Sequence, residues 1–179
     1  GSLELFCNGK YVGYSEGSHN TAEFELNDFL VNGKNEIVVQ NHKWTNSTYL
    51  EAQDMFRSNG IFRDVLLYKT GNNSIYDFEA KISFKSSFSL DFLPSLKISD
   101  DCVLSVLLYD DGEIVSSKSV NVSPSNIEKI SFNNLDVHKW SAECPYLYDL
   151  VIILSKGEDI IEVVRKNIGF KNVEIIGNK

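Results

Sequence analysis

The chain has 179 residues with a formal net charge of -8, 42% hydrophobic and 12% aromatic residues. That length accommodates one or two domains with a real core. The acidic balance argues against nucleic acid or an anionic membrane as partner, because both need clustered Lys and Arg. No apolar run approaches the roughly 20 residues of a membrane span, and no charged-then-apolar leader precedes a cleavage site. A soluble, cytoplasmic protein is the expectation. Cys7, Cys102 and Cys144 are far apart and odd in number, which fits buried free thiols in a reducing compartment better than a disulfide framework.

In chain order, Leu3 to Cys7 reads as a short strand ending at Asn8-Gly9, a dipeptide that takes the positive φ angles of a type I′ hairpin turn. Tyr11 to Tyr14 returns as its partner. Phe24-Glu25-Leu26 alternates like a half-buried strand, Asn27 to Leu30 fits a single helical turn, and Asn32 to Asn35 is a turn opening the strand Ile37 to His42. Tyr49 to Phe56 follows no sustained period and is expected to be a shaped loop, the kind of segment on which a rigid β scaffold carries function. Ile61 to Tyr68 reads as the strand after it. These elements give about five strands before residue 70.

Gly71 to Ser74 is composed of loop formers and is read as an inter-domain linker. Beyond it come strands at Phe78–Phe84, Val103–Tyr109, Glu113–Val115, near Val120, and at 127–132, 147–154 and 160–165. About seven strands in roughly 100 residues point to an immunoglobulin-like sandwich. Tyr148 is expected to bond back to backbone, Trp140 to plug the core and Pro145 to stiffen a turn. Asp100-Asp101 and Asp110-Asp111 are read as turn residues capping their own backbone.

Gln53-Asp54-Met55-Phe56-Arg57, followed by Gly60-Ile61-Phe62-Arg63-Asp64-Val65, resembles the sugar-binding domain of β-galactosidases of glycoside hydrolase family 2. Asn8 to Ser18, Ala22 to Leu30 and the Trp44, Ser47, Tyr49 segment resemble the same domain. Trp140 to Tyr148 and Ile168 to Ile175 are similar to the close of the immunoglobulin-like domain that follows it. The resemblance implies an all-β chain: a partial jelly-roll β-sandwich over 1–71, an immunoglobulin-like β-sandwich over 75–170, and at 171–179 the start of a linker to a catalytic barrel. It also implies an excised fragment whose incomplete sandwich is covered by another copy.

Retaining hydrolysis of a glycosidic bond uses two carboxyl groups about 5–5.5 Å apart. The resemblance puts both on the barrel, so no catalytic residue is expected here. Glu51 and Asp54 are three apart on one loop, but nothing in the local sequence would keep either protonated by burial. Asp54 is the one position carried across: by resemblance it binds galactosyl hydroxyls and ligates sodium, tasks that a carboxylate performs with its lone pairs and an unshifted pKa. Sodium and magnesium are implied for the longer enzyme and none for this region. Partners implied are a galactoside, the barrel and further copies of the chain in a homo-oligomer.

The family's block carries Asp before Gln and Trp after Met, where this chain has Ala52 and Phe56. Those departures bear on specificity within β-galactosidases. The turn Ser123 to Asn126 is short where some tetrameric relatives carry a longer insertion toward a neighbouring subunit, which bears on assembly. Arg57, Arg63 and Asp64 are expected to pair and fix the loop to its following strand, and His19, His42 and His138 show no metal spacing. Two other readings stand beside this one. One is a free-standing carbohydrate- or protein-binding β-sandwich without catalysis, with Tyr49 and Phe56 as its nearest stacking aromatics. The other keeps the family and changes the sugar to a glucuronide or mannoside.

Overall fold

A computed structural model describes every residue except 18, 51–59, 175, 176, 178 and 179. The chain forms two compact units, Gly1–Leu67 and Tyr68–Lys179.

In the first unit, β1 (Ser2–Cys7) and β2 (Lys10–Glu16) form a hairpin, and β3 (Ile37–His42) pairs antiparallel with the other side of β1. The hairpin closes as the sequence predicts, with Asn8 at φ 51° and Gly9 at φ 75°, the left-handed pair of a type I′ turn. Asn8 also ties that turn to the following segment. Its Nδ2 donates to the Phe29 carbonyl (2.9 Å) and to Asn35 Oδ1 (2.8 Å), and its Oδ1 accepts the Glu36 N–H at 3.0 Å. The strand period puts Leu5 and Cys7 on a buried face and leaves Glu4 and Phe6 half-exposed on the other.

Two predicted strands of this unit are absent. Phe24 and Leu26 are half-buried and Glu25 exposed as the alternation requires, but the segment joins no ladder. The Phe24 ring instead lies on Gly13, where an added Cβ would come 2.8 Å from its Cε1. Alternation reported burial against a sheet face, not pairing within the sheet. Ile61 to Tyr68 is likewise unpaired, with Val65, Leu66, Leu67 and Tyr68 all largely exposed. β-Branched and aromatic residues favour a pleated, half-buried surface, and here no described strand lies beside them. Among the described residues three strands therefore stand where five were expected. The predicted helical turn is present as a 3-10 turn, Asn27–Phe29, and the predicted turn before β3 is also in place.

The described residues of the second unit hold seven strands: β4 (Ser74–Phe84), β5 (Phe88–Lys97), β6 (Cys102–Asp110), β7 (Glu113–Val122), β8 (Ile130–Leu135), β9 (Tyr148–Lys156) and β10 (Asp159–Ile168). Antiparallel sheets ordered β4-β5-β8 and β10-β9-β6-β7 face each other across one core, the three-and-four arrangement of an immunoglobulin-like sandwich. The number of strands is the one predicted, but its make-up is not. Glu113–Val115 and Val120 belong to the single strand β7, β8 lies three residues later than predicted, and β5 was missed. Pro94 sits where β5 has only β4 beside it, past the Phe88–Phe92 stretch paired with β8, so its missing N–H breaks no ladder bond on that side.

Inward rows from β5 (Leu90, Phe92), β6 (Leu104, Val106, Leu108) and β9 (Leu150, Ile152, Leu154) meet Phe132 and Phe170 in the core. Tyr148 is buried and accepts the His138 backbone N–H at 2.7 Å, which is the bond back to backbone expected of it. Burial pushes its phenol pKa up. Trp140 is not the core plug: it is half-buried, donates its backbone N–H to the Phe170 carbonyl (2.8 Å), and lies over Gly169, leaving Phe170 to fill the core. Pro145 is the middle of a three-residue turn closed by the Tyr146 N–H on the Cys144 carbonyl at 2.8 Å. The Ser123 to Asn126 turn is closed by paired backbone bonds of 3.0 Å. Cys7 and Cys102 are buried free thiols, but Cys144 is exposed.

Candidate functional site

Strand β3 delivers the chain to the loop on which the function was placed. At its end, His42 Nε2 lies 3.4 Å from Glu4 Oε2 on the neighbouring strand. Lys43 and Trp44 follow, with the Lys43 ammonium 5.2 Å from the Trp44 ring centroid, a cation–π contact at an exposed site. The next residues form a helical turn, Ser47–Leu50, where a continuous loop from Tyr49 was expected. Local side-chain chemistry builds it. The Thr45 N–H donates to Thr48 Oγ1 at 3.0 Å, Thr45 Oγ1 and Ser47 Oγ are 2.8 Å apart, and the Thr48 N–H returns to the Thr45 carbonyl at 3.1 Å. The Thr48 hydroxyl thereby satisfies the Thr45 N–H, a donor ahead of the turn that has no helical partner.

The turn projects its large side chains outward: Tyr49 and Leu50 are each 88% exposed and Trp44 65%. Asp54, with Glu51, Ala52, Phe56 and Arg57, lies outside the described residues. Past it, Gly60 takes φ 110°, a conformation open to glycine, and leads into the extended apolar run. The expected pairing of Arg63 with Asp64 is not made among the described residues; the Arg63 guanidinium lies 5.9 Å from the ring centroid of its neighbour Phe62. Of the two stacking candidates, Tyr49 is presented to solvent.

Among the described residues no group of three or more His, Cys, Asp or Glu is placed to hold a metal ion. A hard cation takes about six or more oxygens, and Asp54 is a single carboxylate, so further oxygen ligands would be needed beside it to hold sodium or magnesium. Among the described residues, the carboxylates with shifted pKa values are shifted down. Asp91 is held low by the Ser131 hydroxyl and Lys129, Asp100 by Lys156 and Asn73, Asp149 by Arg165, and Glu143 by a backbone N–H. A general acid needs the opposite shift.

The paired aspartates of the second unit do not cap their own backbone. Asn73 does that work: its Oδ1 accepts from the Ser99 and Asp100 N–H groups, at 2.8 and 3.2 Å, while Asp100 pairs with Lys156 at 3.0 Å. Asp110 accepts the Tyr146 hydroxyl at 2.6 Å, and that bond pushes the Tyr146 pKa up to about 12. Asp111 occupies a left-handed position, φ 46°, before Gly112. The sequence offered one hint of the Asn73 role, an Asn in a loop-forming stretch, where its side chain commonly binds backbone.

Residues 1–71 match the family described as "Glycosyl hydrolases family 2, sugar binding domain", and residues 74–171 match "Glycosyl hydrolases family 2". The chain belongs to glycosyl hydrolase family 2. A β-galactosidase of Streptococcus thermophilus is 34% identical over 97% of this chain and 17% of its own length; one from Priestia megaterium is 36% identical over 96% and 18%. The chain thus spans about a fifth of the length of these curated relatives. Among solved structures, a β-glucuronidase of Bacteroides uniformis superposes with a TM-score of 0.82 at 20% identity, covering 94% of this chain and 23% of its own. A family 2 member from Bacteroides cellulosilyticus gives 0.76 at 19%, covering 94% and 24%. At such identity these structures establish the fold alone. The family resemblance read from the sequence is borne out, as is the all-β class.

Proposed function

We propose that this chain is the non-catalytic sugar-binding and immunoglobulin-like region of a β-galactosidase that hydrolyses terminal non-reducing β-D-galactosyl residues. The observation that carries the reading is an identity of 34–36% running across both units to proteins named β-galactosidase. In this role the two units brace a catalytic barrel, and the loop after the Ser47–Leu50 turn lends Asp54 to the galactosyl pocket as a hydrogen-bond acceptor and one sodium ligand. The catalytic carboxyl pair belongs to the barrel, and so does the rest of any sodium or magnesium site. A cytoplasmic location and a homo-oligomeric parent belong to the same reading.

Asp54→Asn in the intact polypeptide tests it. Loss of a charge-assisted bond of about 1.5–3 kcal/mol lowers kcat/KM on a galactoside roughly tenfold to a hundredfold with the fold unchanged; an unaltered kcat/KM contradicts the role. The same assay with a glucuronide decides the competing sugar raised by the β-glucuronidase fold neighbour, and galactoside is the substrate expected to turn over. Isolated, the chain is expected to self-associate through its first unit, where β2 and β3 are the edge strands of the three-stranded sheet among the described residues. A monodisperse monomer in ultracentrifugation contradicts that.

A further inference from the structure

Three Asn-Gly dipeptides occur in this chain: Asn8-Gly9, Asn32-Gly33 and Asn59-Gly60. We infer that Asn32-Gly33 is a site of spontaneous covalent modification, deamidation through a cyclic imide, and that the fold locks Asn8-Gly9 against the same reaction. The inference is independent of the proposed function. In the reaction the backbone nitrogen of the glycine attacks the side-chain carbonyl carbon of the asparagine. A C–N bond forms, the side-chain amide leaves as ammonia, and water then opens the imide at either carbonyl. The products are aspartate and isoaspartate, the latter carrying the main chain through the β-carbon. Nothing beyond water is consumed.

The two described sites differ in what holds the reacting groups. Asn32 is exposed, and among the described residues no hydrogen bond restrains its side-chain amide or the Gly33 N–H. Gly33 sits at φ 98° with open space where a Cβ would be, so neither a side chain nor a neighbour hinders the attack. Asn8 makes the same dipeptide with a half-buried side chain. Its Nδ2, the group that must leave, donates to the Phe29 carbonyl (2.9 Å) and Asn35 Oδ1 (2.8 Å), and its Oδ1 accepts the Glu36 N–H at 3.0 Å. All three bonds would have to break as the carbonyl carbon rotates toward the Gly9 nitrogen. Together they separate the two rates by on the order of tenfold or more.

The reaction also has a structural consequence. Asn35 ties the loop that contains Asn32: its Oδ1 accepts the Val31 N–H at 2.8 Å, and its Nδ2 donates to the Val31 and Gly33 carbonyls at 2.9 and 3.1 Å. An isoaspartate at 32 inserts a methylene into the main chain between those anchors and adds a negative charge beside them. The tie then slackens, and with it one of the partners that lock Asn8.

The test is a time course on the whole chain in mildly alkaline buffer, followed by tryptic peptide mass spectrometry. Cleavage after Lys10, Lys34 and Arg57 puts the three dipeptides on separate peptides. The expected result is progressive amide-to-acid conversion at Asn32, split into two chromatographic isomers, with Asn8 retained as the amide. Asn35→Ala, which removes one partner of Asn8, is expected to raise conversion at Asn8 and leave Asn32 reactive. Persistence of the Asn32 amide, or conversion of Asn8 at an equal or greater rate, overturns the inference.

Discussion

In the second unit seventeen hydrophobic side chains, from Ile75 to Phe170, share one buried cluster between two sheets, whereas in the first unit Leu5 and Cys7 are the buried hydrophobics among the described residues. Both units use antiparallel strands, type I′ turns and the same alternating pattern. The difference is that each sheet of the second unit has another sheet to face, while among the described residues β2-β1-β3 has no second sheet, and what meets it is the Phe24 ring at Gly13 and the Phe29 carbonyl at Cys7 and Asn8. Hydrophobic stabilisation scales with apolar area removed from water, so the second unit carries the stability. The first carries the loop to which the function is assigned, an arrangement that leaves its apolar run 61–68 available to something else.

Substitutions sharpen that contrast. Phe92→Ala, at a fully buried position of β5, is expected to cost the second unit about 3–5 kcal/mol in denaturant unfolding, without changing amide exchange in the first. The glycines give a matched pair, since an added Cβ would come 2.8 Å from Trp140 Cδ1 at Gly169 and 2.8 Å from Phe24 Cε1 at Gly13. Trp140 is pinned by its backbone bond to Phe170, so Gly169→Ala is expected to cost about 1–3 kcal/mol, relieved in combination with Trp140→Ala. Phe24 belongs to an unpaired segment and can yield, and alanine in a strand recovers roughly 0.5–1 kcal/mol over glycine. Gly13→Ala is therefore expected to be nearly neutral, and equal melting shifts for the two variants would break the comparison.

Tyr148→Phe leaves the His138 N–H without its acceptor, an expected loss of about 1–2 kcal/mol. The smallest effects are those of pH. Tyr146 and Tyr148 have folded-state pKa values above the ordinary 10.0, so they favour the folded state below that value and lose the contribution as pH rises toward about 12 for Tyr146. Asp149, held low by Arg165, acts in the other direction. Its contribution is present above the ordinary carboxylate value and is lost as pH falls through the depressed one. The acid effect of Asp149 acts on the strands of the second unit, whereas the alkaline effect is shared, because the Tyr14 phenol of β2 is also raised above the ordinary 10.0. Amide exchange against pH, followed residue by residue, should show both units losing protection as the tyrosines ionise.

What the sequence made legible follows the same division. Local chemistry was readable: Asn8-Gly9 as a type I′ turn, and Tyr148 as a tyrosine bonded back to backbone. Strand pairing was not, because Phe24 to Leu26 and Ile61 to Tyr68 have the composition and period of strands without a neighbouring strand among the described residues. The row Phe88, Leu90, Phe92 carries the alternation of β5 plainly, and it was the signal by which that strand could have been found despite Pro94. The network around Asn73 joins residues 27 apart in sequence and leaves no local pattern. At the candidate site, residue chemistry alone did not select Asp54 from other loop carboxylates; family resemblance did.

The most direct test is isothermal titration of galactose into this chain and, in parallel, into the intact polypeptide that carries it. The proposed role, in which Asp54 would supply one wall of a pocket that other residues complete, predicts no saturable heat from the chain alone and saturable binding by the intact polypeptide. Saturable galactose binding by the isolated chain would contradict it and identify an autonomous carbohydrate-binding module.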